Sequence, residues 1–280
     1  KNTKDYIVAG SRMGWWLSFG TIFATWFGAE TCMGSSKIAY ERGILGVIAD
    51  PFGAGLCLIL AGLFFAKFFR KMGIETIIDF FEARYGKKVG CGFSFLYIPV
   101  YLGWVGGQLL AFGIILHSLI GIPIMAGVIV STAVVLVYTY AGGMWADAMT
   151  DLVQMIFIIV GLLVLFPLLV GDLGGFSAIR ARIPETFFYV YPKGESSLGW
   201  LNYIQAWMMV GIGSLAAQDL FQRMMSPRTA AMAKWSSIGS GILYMVIGLI
   251  PVLLGIFGRV AIPESKSESI LIDLALKYLP

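Results

Sequence analysis

Two stretches of otherwise apolar sequence carry residues able to bind ions and polar solutes. Thr25, Trp26, Gly28, Glu30, Thr31, Gly34, Ser35 and Ser36 punctuate one, and Gly211, Gly213, Ser214, Gln218 and Asp219 punctuate the other. Glycine and polar residues let a helix open in a membrane. An opened helix offers carbonyl oxygens to a cation and amide N–H groups to an anionic group. Glu30 adds an ionisable side chain, which at mid-membrane costs at least ~2.5 kcal/mol unless it faces protein or water. That chemistry suits the binding and translocation of a solute. Tight helix packing through small residues would leave the same pattern, so both readings stand at this point. The groups that break bonds are missing from the sequence. It has one histidine, hence no His pair for zinc. No nucleophile elbow or phosphate loop is visible, and Gly106-Gly107 and Gly142-Gly143 resemble neither. An enzyme is not expected.

The setting of these residues is set by composition. Of 280 residues, 58% are hydrophobic and only 13% are charged, with a mean hydropathy of +0.83. A soluble domain carries about 25% charged residues. The deficit excludes a disordered chain, a nucleic-acid-binding domain and a cytosolic enzyme with a wet surface, and leaves a surface facing the lipid bilayer. Cys32, Cys57 and Cys91 all fall in apolar sequence and read as buried thiols rather than a disulfide framework. No signal peptide is visible and the chain begins with Lys1, so it reads as part of a longer polypeptide.

Seven hydrophobic runs are long enough to cross a bilayer, at about 14–36, 47–69, 91–119, 122–142, 148–171, 200–222 and 236–258. Backbone groups in hydrocarbon must be satisfied internally, so these are predicted to be helices. The flanks at 1–12, 67–71, 84–88 and 223–234 hold twelve of the 20 Lys and Arg residues. The positive-inside bias therefore places 1–12, 70–88 and 223–234 in the cytoplasm. Ile74, Ile77, Ile78 and Phe81 recur at helical spacing, which predicts a short interfacial helix over 73–86. The polar stretch 172–199 is predicted to be an external loop. Ile270, Leu271, Leu274 and Leu276 suggest a short amphipathic helix near the end.

The segment from Tyr140 to Gln154 narrows the reading. Its paired glycines Gly142-Gly143, then Ala146, Thr150-Asp151 and Gln154, resemble the signature of the sodium:solute symporter family. Asp5-Tyr6, Ala9-Gly10 and Gln222-Arg223 add to the resemblance, which covers nearly the whole chain. It implies an all-α integral membrane fold, the leucine-transporter-type inverted-repeat helix bundle. One transmembrane domain over 1–280 would then hold a first five-helix repeat at about 12–171 and the start of a second at about 200–280.

The resemblance also implies roles. The carbonyls of Ala24 and Phe27 match the first-helix ligands of the coupling ion, Na+, and hard cations take oxygen ligands. Asp151 matches an acidic position on the inner sodium path; a helix-start cap is its other reading. Asp147 lies outside the signature and reads as a solvated turn residue. Trp26 and Trp104 look most like the choline-transporting branch, where aromatic rings surround a quaternary ammonium, although either ring also suits core packing. Other cage positions fall at Ala54 and Ala217, which carry no ring. Glu30, Thr31, Gln108 and Gln218 complete the candidate solute contacts, and His117 is given no role. The implied function is sodium-coupled symport, by alternating access, of a small polar organic solute such as a cationic or quaternary amine. A membrane sensor built on a symporter-like module is the alternative. A channel fits less well, since the polar residues gather in two interrupted helices.

Overall fold

The computed structural model describes residues 3–194 and 196–279. Lys1, at the head of the expected cytoplasmic flank, lies outside the described residues. In chain order the helices are α1 (Thr3–Val8), α2 (Trp15–Trp26), α3 (Ser35–Arg42), α4 (Ala54–Leu60), α5 (Ala66–Met72), α6 (Ile77–Tyr85) and α7 (Lys87–Ile120). There follow α8 (Ile124–Asp172), α9 (Gly175–Arg180), α10 (Ser197–Gly211), α11 (Gln218–Met225), α12 (Ala230–Ala261) and α13 (Ile270–Tyr278). Among the described residues the only extended pairing is an isolated bridge between Met13 and Pro227.

Four stretches among the described residues are long and apolar enough to cross a membrane: Ile44–Met72, Lys87–Ile120, Ile124–Asp172 and Ala230–Ala261. The expected seven spans are therefore not established one by one, for two physical reasons. The first and sixth runs are interrupted, so α2 has 12 residues and α10 has 15, each short of a full crossing. The fourth and fifth runs adjoin within α8, whose 49 residues comprise two helices meeting at a kink. At 1.5 Å per residue it would be about 73 Å long, more than twice the hydrocarbon thickness. Gly143 breaks it, with φ 57° and ψ −149°, inside the turn expected between those runs. That conformation is essentially closed to a residue bearing a Cβ.

The helix expected at 73–86 starts later, at Ile77. Thr76 caps it: the Asp79 N–H donates to the Thr76 hydroxyl at 3.2 Å and the Thr76 N–H donates to the Asp79 carboxylate at 2.8 Å. Asp79 is thus a capping-box partner. The stretch 172–199 is not a plain loop, because it holds α9 and a tight helical turn at Glu185–Phe188. The expected terminal helix is present as α13, burying Ile270, Ile272 and Leu274 while Leu276 is exposed.

The chain packs as two compact units. The first comprises Lys1–Thr25, Gly62–Leu152 and Ala216–Ser236. Within it Met13 is stitched to the segment after α11, its N–H donating to Ser226 O and its carbonyl accepting from Arg228 N, both at 3.0 Å. Ala9, Met13, Met144 and Ala148 form a buried knot against Leu17. Phe69 of α5 packs edge-on against Phe221 of α11, with centroids 4.9 Å apart. The second unit comprises Trp26–Ala61, Val153–Leu215 and Ser237–Pro280. Here Gly255 of α12 lies so close to Ser36 that an added Cβ would fall 2.2 Å from the Ser36 carbonyl oxygen. The Ser36 hydroxyl donates to Pro251 O at 3.0 Å, a second tie to α12.

Candidate functional site

In the second unit the site is built on the interruption of the first hydrophobic run. Helix α2 ends at Trp26, and a wide helical turn resumes at Glu30–Gly34. The Gly28 N–H turns back to the Trp26 carbonyl at 2.9 Å, two residues away, where a continuing α-helix would reach four residues back. The Tyr244 hydroxyl of α12 also lies 3.0 Å from the Trp26 carbonyl, and its ring packs edge-on against Phe27 at 5.0 Å. Thr31 is fully buried; its hydroxyl donates to the Asp50 carboxylate at 2.7 Å and bonds the Tyr244 hydroxyl. Asp50 reaches this cluster because its own backbone is extended, φ −141° and ψ 123°, within the turn Ile48–Gly53 that precedes α4. The Ser35 hydroxyl anchors that turn by donating to Asp50 O at 3.0 Å.

Glu30 is exposed, and Phe27 is buried. Ala24 lies inside α2 and belongs to the first unit, whereas Phe27 belongs to the second. Backbone carbonyl oxygens at such a break are donors of the kind that suits sodium.

The first unit holds a charged cluster around Asp151, which is 8% exposed. The Thr21 hydroxyl of α2 donates to Asp151 Oδ2 at 2.5 Å. Arg223, on α11, donates through Nη2 to Asp147 at 2.7 Å and lies 3.6 Å from Asp151. Its Nε is buried with no hydrogen-bond partner. Two sequence expectations change here. Asp151 stands eight residues past Gly143, two turns inside the helix, so it caps nothing. Asp147 is not a free turn residue, because it forms the shorter arm of this ion pair.

The remaining candidates disperse within the first unit. The Gln218 side-chain carbonyl accepts the Ile77 N–H at 2.8 Å and so fixes the start of α6. Trp104 packs edge-on against Tyr101 at 6.2 Å, and the Tyr101 hydroxyl donates to Asp219 at 2.7 Å. Gln108 follows one turn later on α7, half-buried. His117 bonds Ile122 O at 2.8 Å, closing the turn after α7. Sequence reasoning passed over Asp50 and Tyr244. The available signal was an acidic residue at the edge of an apolar run, which looks like an ordinary boundary.

The profile of the sodium:solute symporter family matches residues 6–267. The chain is 32% identical over 261 residues to the high-affinity choline transporter 1 of Caenorhabditis elegans, a match covering 92% of this chain and 44% of the relative. It is 26% identical over 293 residues to the sodium/glucose cotransporter of Vibrio parahaemolyticus, covering 100% and 54%. The chain thus spans about half the length of these relatives. A solved structure of a Na+-coupled sialic acid symporter in a substrate-bound outward-open state superposes with a TM-score of 0.84 at 21% identity, covering 100% of this chain and 62% of that one. The fold is the all-α, leucine-transporter-type inverted-repeat bundle.

Proposed function

Since this chain belongs to the sodium:solute symporter family, we propose that it serves sodium-coupled symport of a small polar organic solute, with cationic amines as the solute class. It is an integral membrane protein. The observation that carries the proposal is the interruption at Phe27 and Gly28, which opens a helix beside a wall of oxygens from Trp26, Thr31, Asp50 and Tyr244. In this reading the Ala24 and Phe27 carbonyls hold sodium, which supplies a fixed positive charge and couples solute binding to its own gradient. By linkage each ligand raises the affinity for the other. Trp26 faces the cationic nitrogen with its ring. Thr31, with Glu30 beside it, supplies polar contact. Trp104 and Gln108 on α7, and Gln218, remain candidate solute contacts. Asp151 takes sodium on its inward path, in competition with the Arg223 guanidinium.

The similarity to a high-affinity choline transporter supports a cationic solute. The residues at about 12–171 and from about 200 onward are read as members of the two inverted repeats. The membrane is the plasma or inner membrane, with residues 1–12, 70–88 and 223–234 on its cytoplasmic side. Uptake of labelled choline and related amines into vesicles, with external sodium replaced by potassium, tests the proposal. Sodium-dependent accumulation is expected, and uptake indifferent to that replacement removes sodium coupling.

A further inference from the structure

The four oxygens beside the break are short of protons. Asp50 meets the Thr31 hydroxyl at Oδ2, 2.7 Å away, and the Tyr244 hydroxyl at Oδ1, 3.0 Å away. The two hydroxyls also bond each other, and they lie 3.3 and 3.0 Å from the Trp26 carbonyl. A carbonyl and an ionised carboxylate only accept, whereas each hydroxyl owns a single proton. The bond between the two hydroxyls consumes one of those protons. The Gly28 N–H serves the Trp26 carbonyl, so the shortfall falls on Asp50, which has at most one donor for its two oxygens.

The cluster is also short of positive charge. Among the described residues no Lys, Arg or His nitrogen lies within 4.0 Å of the Asp50 carboxylate. Glu30, a second carboxylate within electrostatic reach, adds to the excess. Asp50 is half-buried, so the cost of an unpaired and incompletely hydrogen-bonded carboxylate arises in full when a bound solute expels the water around it. Sodium would neutralise the carboxylate but brings no proton to its under-bonded oxygen. The missing partner is one that brings charge and N–H donors together.

Resting on the reading that the break binds a cationic solute, we propose that Asp50 selects a solute whose cationic nitrogen carries N–H, a primary or secondary ammonium or a guanidinium, over a quaternary ammonium. Such a nitrogen donates to the under-bonded carboxylate oxygen while neutralising it. A quaternary nitrogen brings the charge alone and leaves the acceptor unsatisfied once water is expelled. A site built around an N–H discriminates steeply against analogues that lack it.

The test uses the full-length protein in proteoliposomes with an imposed sodium gradient. Ethanolamine, N-methylethanolamine, N,N-dimethylethanolamine and choline share one skeleton and lose N–H donors one at a time. Uptake efficiency is expected to fall along that series, by about tenfold or more between ethanolamine and choline. In Asp50→Asn, which is neutral and brings its own N–H, the ratio is expected to collapse toward one. Choline carried as well as ethanolamine, or a tenfold ratio that survives Asp50→Asn, overturns the inference. The wild-type series decides even if the variant does not reach the membrane. Sodium-driven uptake of choline alone defeats selection by Asp50 and spares the cationic-solute reading; sodium-driven uptake of none of the four defeats both.

Discussion

Replacing Arg223 by Gln removes the one cation in the cluster around Asp151. Asp147 and Asp151 then lose contacts at 2.7 and 3.6 Å. Breaking a buried ion pair from one side costs about 3–5 kcal/mol, because the remaining charge stays desolvated. The two carboxylates do not share this equally. The Asp147 side chain is 31% exposed and recovers water, so its loss lies near the ~1 kcal/mol of a screened pair. The Asp151 side chain is 11% exposed and keeps only the Thr21 hydroxyl, so most of the penalty falls there. A total near ~3 kcal/mol is expected. Thermal unfolding of the purified protein in detergent, followed by tryptophan fluorescence, reads the change as a drop of roughly 6 °C or more in Tm. Adding Asp151→Asn to the Arg223→Gln background removes the stranded charge and is expected to restore about 1–2 kcal/mol. An unchanged Tm in Arg223→Gln, or additive losses in the double variant, would refute an energetic coupling between Arg223 and Asp151.

Gly143→Ala forces a Cβ onto a backbone with φ 57° and to within 2.7 Å of Tyr6 Cδ2 and 2.9 Å of the Tyr6 carbonyl. The expected loss is about 2–5 kcal/mol; melting identical to the parent protein contradicts the break at this residue. Thr76→Ala deletes half of a capping box and is expected to cost about 1 kcal/mol locally. Faster amide exchange confined to Ile77–Tyr85 is the supporting outcome, and unchanged exchange at the Asp79 amide the opposing one.

How much was legible in the sequence depends on whether a residue's partner is near in the chain. The break at Phe27 and Gly28 and the kink at Gly143 were readable, because glycines and polar residues in an apolar run are local signals. So was the terminal helix, from its periodicity. Seven even spans were not the outcome, since hydropathy counts apolar residues without registering where the helical ladder opens. Asp50 was invisible for a different reason. Its partners Thr31 and Tyr244 lie 19 and 194 positions away, and no local spacing announces them. Arg223 and Asp147 were each assigned to solvated flanks, and only the packing of α11 against α8 within the first unit reveals the pair.

The two carboxylate clusters differ in one property that decides what each can do. Asp151 carries its counter-ion within the protein, so its cluster is closed without a ligand, and under the proposed function sodium would enter only by displacing Arg223. The 3.6 Å separation makes Arg223 a weaker partner for Asp151 than for Asp147, and so a displaceable one. Asp50 has hydroxyls in place of a cation, and hydroxyls solvate a carboxylate without neutralising it. Its cluster is therefore stabilised by any cation that fits, and stabilised most by one that also donates. A substitution that neutralises Asp50 relieves a cost in the ligand-free protein, whereas one that neutralises Arg223 creates a cost there. Opposite signs on stability, with solute affinity lost only in the first case, separate a ligand-completed site from a self-completed one.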